Sequence, residues 1–184
     1  MGNGAMTQET HGTTILAVFR DGHGAMGGDG QLTVGDTILK TGSRKIRRLY
    51  DDKVLIGFAG AAADALTLME MFEEKLKDMQ GDLMRTAIEV VKKWRTDRYL
   101  RRLEAQMAVM NIQDLLWISG NGDVVEPDDG IVALGSGGPY ALAAARALIA
   151  HTKLTPKEIV SESMKIASEI CIYTNGKITV ETIP

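Results

Sequence analysis

Apolar residues along this chain switch between two spacings. Ile15-Leu16-Ala17-Val18-Phe19 is a continuous apolar run of strand length, and it stops at Asp21-Gly22, a hairpin signal. Ala25 and Met26 lead into a glycine-rich turn, Gly27-Gly28-Asp29-Gly30. Thr37-Ile38-Leu39 and Val54-Leu55-Ile56-Gly57-Phe58-Ala59 are further strand-like runs. The period then lengthens. Leu66, Met69, Phe72, Leu76 and Met79 fall at helical spacing with Glu and Lys between them. Gly81-Asp82 starts a second helix, with Asp82 as N-cap and Leu83, Ala87, Val90 and Trp94 on one face.

Strand spacing returns at Leu115-Leu116-Trp117-Ile118, which Asn121-Gly122 joins as a hairpin to Asp123-Val124-Val125. Ile131-Val132-Ala133-Leu134 follows. An alanine-rich helix runs from about Tyr140 to His151, and Thr155-Pro156-Lys157-Glu158 is a capping box that opens another helix. Lys177-Ile178-Thr179-Val180 closes the chain as a strand. The order is strands, two helices, strands, two helices, strand. Short hairpins make the sheets largely antiparallel. Helix pairs after each set of strands predict an α/β sandwich of four layers, two sheets packed together with helices outside. Residues 1–12 read as a removable leader and 13–184 as a single domain.

Composition narrows the classes. With 184 residues the chain can bury a full core, and 45% apolar with 24% charged residues is ordinary for a soluble protein. A net charge of -3 gives no push toward nucleic acid. The single cysteine, Cys171, excludes an internal disulfide framework and fits a reducing compartment. No apolar run approaches a membrane span, and the leader has no hydrophobic stretch of a secretory signal.

The chemistry begins at Thr13. A threonine at a freshly exposed N-terminus carries its own base, because its hydroxyl is the nucleophile and its α-amino group can take the proton. In an intact chain that nitrogen is an amide, so such chemistry requires cutting Gly12–Thr13. Asp29 is either turn chemistry or the partner of a buried cation. Lys45, in Ser43-Arg44-Lys45-Ile46-Arg47-Arg48, belongs to a solvated basic edge or points inward, where an ammonium lowers the pKa of a neighbouring amine. Gly135-Ser136-Gly137-Gly138-Pro139-Tyr140 is a strand-to-helix glycine loop without the Lys-Ser/Thr of a P-loop; Ser136 there could hydrogen-bond a catalytic amine. Gly60 ends a strand where a backbone N–H could meet an oxyanion. His11, His23 and His151 have no transition-metal spacing, and Cys171 reads as a small buried hydrophobe.

Taken together, Thr13-Thr14-Ile15, Gly28-Asp29-Gly30-Gln31, Arg44-Lys45-Ile46-Arg47-Arg48-Leu49-Tyr50, Gly57-Phe58-Ala59-Gly60 with Ala63-Asp64-Ala65, Trp94-Arg95-Thr96-Asp97, Gly135-Ser136-Gly137-Gly138 and Ile170-Cys171-Ile172-Tyr173-Thr174-Asn175 resemble the HslV (ClpQ) family, bacterial peptidases related to proteasome β subunits. The resemblance runs in matching order from Thr13 to the C-terminus. It implies a four-layer αββα N-terminal-nucleophile hydrolase fold and a cytoplasmic threonine endopeptidase. It implies two stacked hexameric rings enclosing the sites, and polypeptide substrates fed by HslU, a hexameric AAA+ unfoldase. That partner consumes the ATP, its C-terminal tails docking in clefts between peptidase subunits; this chain would bind none, and neither nucleic acid nor membrane is a partner.

Residue by residue, the resemblance puts Thr13 on the nucleophile, Asp29 and Lys45 on the charged pair behind it, Ser136 on the hydroxyl near the amine and Gly60 on the oxyanion hole. Ser168, Cys171 and Thr174 fall on positions whose backbone carbonyls hold a sodium ion. Ser168 departs from the glycine or alanine of many relatives. The leader is also longer than the bare methionine of some relatives, so release of Met1 alone would not expose Thr13. Three rival readings are a non-catalytic ring subunit that keeps its leader, a nucleotide-binding module built on the glycine loop, and an amidohydrolase of small amides.

Overall fold

Residues 15–18 are apolar without alternation because both faces of their strand are covered. The computed structural model describes residues 10–11, 13–60, 62–100 and 105–184; of the expected leader only Thr10–His11 are among them. The strands are β1 (Thr10–His11), β2 (Thr14–Arg20), β3 (His23–Gly28), β4 (Leu32–Val34), β5 (Thr37–Lys40), β6 (Ile46–Leu49) and β7 (Val54–Gly60). Helices α1 (Ala62–Asp78) and α2 (Leu83–Thr96) follow, then β8 (Ala105–Met110), β9 (Leu115–Ser119), β10 (Val124–Val125) and β11 (Ile131–Gly135). The chain ends with α3 (Gly138–His151), α4 (Pro156–Ile170) and β12 (Thr179–Ile183).

Two antiparallel sheets form the middle of the molecule, in the orders β11-β2-β3-β12 and β10-β9-β8-β7-β6. The pleat sends alternate residues of β2 to opposite faces. Ile15 and Ala17 join Met26, Leu55, Ala108 and Met110 in the core between the sheets. Leu16 and Val18 face the other way, into a core with Ala141 and Ala145 of α3 and Ile159, Val160 and Met164 of α4. Helices α1 and α2 cover the outer face of the second sheet, where Phe72, Leu76, Val90 and Trp94 pack on Ile56, Met107 and Leu116. These four layers are the sandwich expected from the element order. Among the described residues no helix is long and apolar enough to cross a membrane.

Several local signals act as read. Asp21 and Gly22 both take positive φ, 54° and 77°, which a two-residue hairpin of this twist requires, and Arg20 pairs with His23. Asp82 caps α2 by accepting the Arg85 N–H at 2.9 Å. Thr155 and Glu158 form both halves of the capping box. Val124 pairs with Ile118 as expected, but Asp123 stays outside the ladder, where its carboxylate accepts the Ser119 hydroxyl at 2.7 Å.

Other elements differ. The expected helical stripe beginning at Leu66 and Met69 is only partly core: Leu68 and Met71 are buried instead, and Leu66 remains 53% exposed. Leu66 and Met69 line an open cleft, and Met69 also packs against the core under α1. Strand β5, with Ile38 and Leu39 exposed, lies outside the sandwich in a small sheet of order β1-β4-β5. Cys171 is buried, as a small hydrophobe should be, and it caps α4 in extended conformation.

Candidate active site

Thr13 is half-buried and stands immediately before β2, the strand that lies between β11 and β3. Its carbonyl accepts the backbone N–H of Ser136 at 3.1 Å. Gly135 makes this approach possible. Its φ is +79°, and a Cβ there would fall on the Thr13 carbonyl oxygen, so only glycine fits both the backbone and the space. Ser136 itself is exposed at the turn into α3.

The next residue, Thr14, is fully buried and tied down at both ends. Its N–H donates to Asp29 Oδ1 at 2.8 Å. Its hydroxyl lies 2.7 Å from the Thr174 hydroxyl and accepts the Gly137 N–H at 3.0 Å. A Cβ on Gly137 would collide with both hydroxyls, which accounts for the second glycine of this loop. Nothing in the spacing of the chain links positions 14, 137 and 174; only the fold brings them together.

Asp29 is the hub. It is completely buried, and Lys45 Nζ donates to its Oδ1 at 2.7 Å. Gln31 N–H donates to Oδ2 at 2.9 Å, and the Asn175 N–H reaches the same oxygen at 3.4 Å. Asn175 also accepts the Gly30 N–H at 3.1 Å and donates to the Thr41 carbonyl at 3.1 Å. One carboxylate therefore holds the start of β2, the turn after β3, the lysine before β6 and the loop after α4. Such a charge is tolerable inside only because its oxygens are this well supplied with donors. Burial holds the Lys45 ammonium below its usual 10.5, while Asp29 pulls in the opposite direction. Lys45 thus points inward, although it sits in the basic run; Arg44 and Arg47 beside it are exposed.

A cleft of about 400 Å³ opens beside Thr13. Lys45 and Gly60 reach it together with Thr13, and Phe58, Leu66 and Met69 give it apolar walls. Gly60 is the last residue of β7, exposed, with φ +143°. Threonine, lysine, buried carboxylate and a strand-end glycine thus meet at one place, with the Ser136 backbone against the threonine. Sequence reading did not find Thr14, Gln31 or Asn175 as parts of this network. Their hydrogen-bonding side chains were the available signal, but polar residues in glycine-rich loops carry no address.

The end of α4 has a different chemistry. The last carbonyls of a helix lack intrahelical partners and carry the negative end of its dipole. Ser168 lies in that last turn, Cys171 is the C-cap and Thr174 follows. The Cys171 carbonyl accepts the Thr174 N–H at 3.0 Å and keeps a second lone pair. The Ser168 hydroxyl is engaged with the Lys165 carbonyl at 2.7 Å, which leaves its own carbonyl as the donor to consider. Backbone carbonyls are the donors a hard cation takes, so this helix end fits such an ion. Among the described residues no cluster of three or more His, Cys, Asp or Glu side chains could hold a metal.

Comparison with known proteins agrees with this fold. The family model described as proteasome subunit matches residues 9–183. The ATP-dependent protease subunit HslV of Desulfovibrio desulfuricans is 57% identical over 176 residues, 95% of this chain and 99% of the relative. The crystal structure of eukaryotic HslV from Trypanosoma brucei superimposes with a TM-score of 0.88 at 44% identity, covering 92% of this chain and 98% of that one. Thiobacillus denitrificans BPH, in complex with epoxomicin, shares the fold at a TM-score of 0.71 with 18% identity, covering 92% and 97% of the two chains. The chain belongs to the proteasome-subunit family, among its HslV-type protease subunits.

Proposed function

We propose that this chain is a threonine endopeptidase subunit of an ATP-dependent protease, with Thr13 as the nucleophile once residues 1–12 are removed. The observation that carries the reading is the meeting of Thr13, Lys45 and Gly60 at one cleft, with Asp29 buried against Lys45. After the cut at Gly12–Thr13 the new α-amino group has an ordinary pKa of about 7.7–8, near working pH. The Lys45 ammonium beside it lowers that value further and favours the neutral amine. The amine accepts the hydroxyl proton, and the hydroxyl oxygen attacks the substrate carbonyl. The Gly60 N–H stabilises the oxyanion. The leaving peptide takes the proton, and water releases the acyl group from Thr13. Ser136 steadies the amine with its hydroxyl, as its backbone steadies the Thr13 carbonyl. The Thr13 hydroxyl also attacks the Gly12 carbonyl: the acyl group shifts from the Thr13 nitrogen to its oxygen as the hydroxyl proton passes to the freed α-amine, and water then hydrolyses the ester and releases the leader with a C-terminal carboxylate.

The family carries the rest of the reading. The subunits form two stacked hexameric rings in the cytoplasm, and the HslU AAA+ ATPase feeds them unfolded polypeptides. Backbone carbonyls of Ser168, Cys171 and Thr174 would hold a sodium ion, which when bound would supply positive charge to the α4 carbonyl end.

Intact mass and N-terminal sequencing test the chemistry first. A chain that begins at Thr13 has the amine the mechanism needs. Thr13→Ala should then abolish peptide turnover and leave ring assembly intact, and retained turnover in a clean preparation would sink the assignment. A second reading, a ring subunit that keeps its leader and does not cut, draws on the pairing of Thr10 with Val34 and His11 with Thr33. It requires purified rings still carrying residues through Gly12.

A further inference from the structure

The cleft beside Thr13 has a sharply divided lining. Phe58, Leu66 and Met69 supply apolar surface, but four of its twelve lining residues are cationic: Lys40, Arg44, Lys45 and Arg47. None is acidic, in a chain whose net charge is -3. The bulk composition therefore does not explain the sign of this site. Lys45 is committed to Asp29. Lys40, Arg44 and Arg47 are exposed, and among the described residues none of the three pairs with a carboxylate. The Arg47 guanidinium makes one long contact, 3.4 Å to the Ile46 carbonyl.

A peptide carbonyl attacked by Thr13 with its oxygen toward Gly60 places the side chain of its own residue nearest this cleft. We infer that Lys40, Arg44 and Arg47 form a charge filter on that side chain, admitting apolar and acidic residues before the scissile bond and rejecting Lys and Arg. This rests on the peptidase reading and assigns its selectivity to three named cations. Apolar side chains seat on Phe58, Leu66 and Met69. A glutamate carboxylate meets the cationic rim with attraction, and a lysine ammonium meets it with repulsion. The rim is open to water, so the discrimination is screened by salt, whereas a steric pocket would be indifferent to it.

The test uses the assembled peptidase, with Thr13 confirmed as its N-terminus by mass, together with its ATPase partner. Four peptides differ only in the residue before the scissile bond: Leu, Glu, Gln or Lys. At low salt kcat/KM should favour Glu over Lys by about tenfold with Gln between them, and the gap should shrink severalfold in 0.5 M salt, where screening is within about 4 Å. In Arg44→Glu/Arg47→Glu the Glu-to-Lys ratio should invert. The salt series on the unaltered protein decides the matter even if that variant fails to fold. Equal cutting after Glu and Lys at low salt, with the Leu peptide turned over, overturns the inference and leaves the peptidase reading standing. A ratio that survives charge reversal also overturns it. No turnover of any peptide overturns the peptidase reading, and the filter with it.

Discussion

The two sides of Thr13 are built to different standards. On one side Asp29 and Thr14 are fully buried, and the carboxylate accepts from Thr14, Gln31, Lys45 and Asn175. On the other side the cleft is open, with Leu66 53% exposed and Lys40, Arg44 and Arg47 at its rim, none of which pairs with a carboxylate among the described residues. The chemistry is held rigidly before substrate arrives, while recognition is left to solvated side chains. Preorganised charge is effective where water is excluded, and a wet rim can sort substrates only weakly. The division suits an enzyme that must cut many sequences by one mechanism.

The comparison predicts that damage to the buried side costs far more than damage to the cleft. Asp29→Ala should have the largest effect on the fold. It takes the Asp29 carboxylate away from the buried Lys45 ammonium, a loss of about 3–5 kcal/mol, and should remove peptidase activity as well. Urea denaturation and peptide turnover measure the two losses, and a variant with near-normal stability would break the contrast.

Thr14→Val keeps the side-chain volume but removes the hydroxyl that accepts the Gly137 N–H and meets Thr174. A loss of about 1–3 kcal/mol is expected from the stranded donor, seen in the urea midpoint. Turnover should fall through kcat, because Thr14 positions the nucleophile and does not touch substrate.

Lys45 adds a pH signature. Its folded pKa lies below 10.5, so between that value and 10.5 the unfolded chain holds the proton more tightly than the folded one. Unfolding takes up a proton in this window, and stability contributed by Lys45 rises with pH there. Wild type should therefore gain on Lys45→Met as pH climbs toward 10.5, in paired denaturation curves. A gain on acidification instead would contradict the burial-dominated account.

Leu66→Ser should do least to the fold, within about 0.5 kcal/mol, because the side chain is largely exposed. It should raise KM for a peptide with leucine before the scissile bond. A large stability loss would mean that the cleft wall is structural after all.

How much of this was legible depended on the range of the cause. Asp21-Gly22, Asp82 and the box at Thr155 and Glu158 act through neighbours in the chain, so their elements were readable from spacing. Strand β8 was not read, because Ala105-Gln106-Met107-Ala108-Val109-Met110 has weak strand preference and is made a strand by β7 and β9 on either side. Strand β6 escaped because Arg47 and Arg48 interrupt it with charge, while only Ile46 and Leu49 are buried. In the site, Thr13, Asp29, Lys45 and Gly60 were candidates by residue type and position, and the family resemblance gave them their expected roles. Thr14 with Thr174, 160 positions apart, carries no local pattern, and neither does Asn175 with Asp29.

The paired threonines have one more consequence. They are identical in the sequence and opposite in circumstance: Thr13 borders the cleft, while the nitrogen and hydroxyl of Thr14 are both bound internally. Under the proposed cut at Gly12–Thr13, maturation would have a tolerance of zero residues. Trimming one position too far would still leave a terminal threonine, yet its new ammonium would fall against Asp29 as a salt partner, and its hydroxyl would stay behind the wall. A population of over-trimmed chains would look correct by composition and by fold, and would be silent.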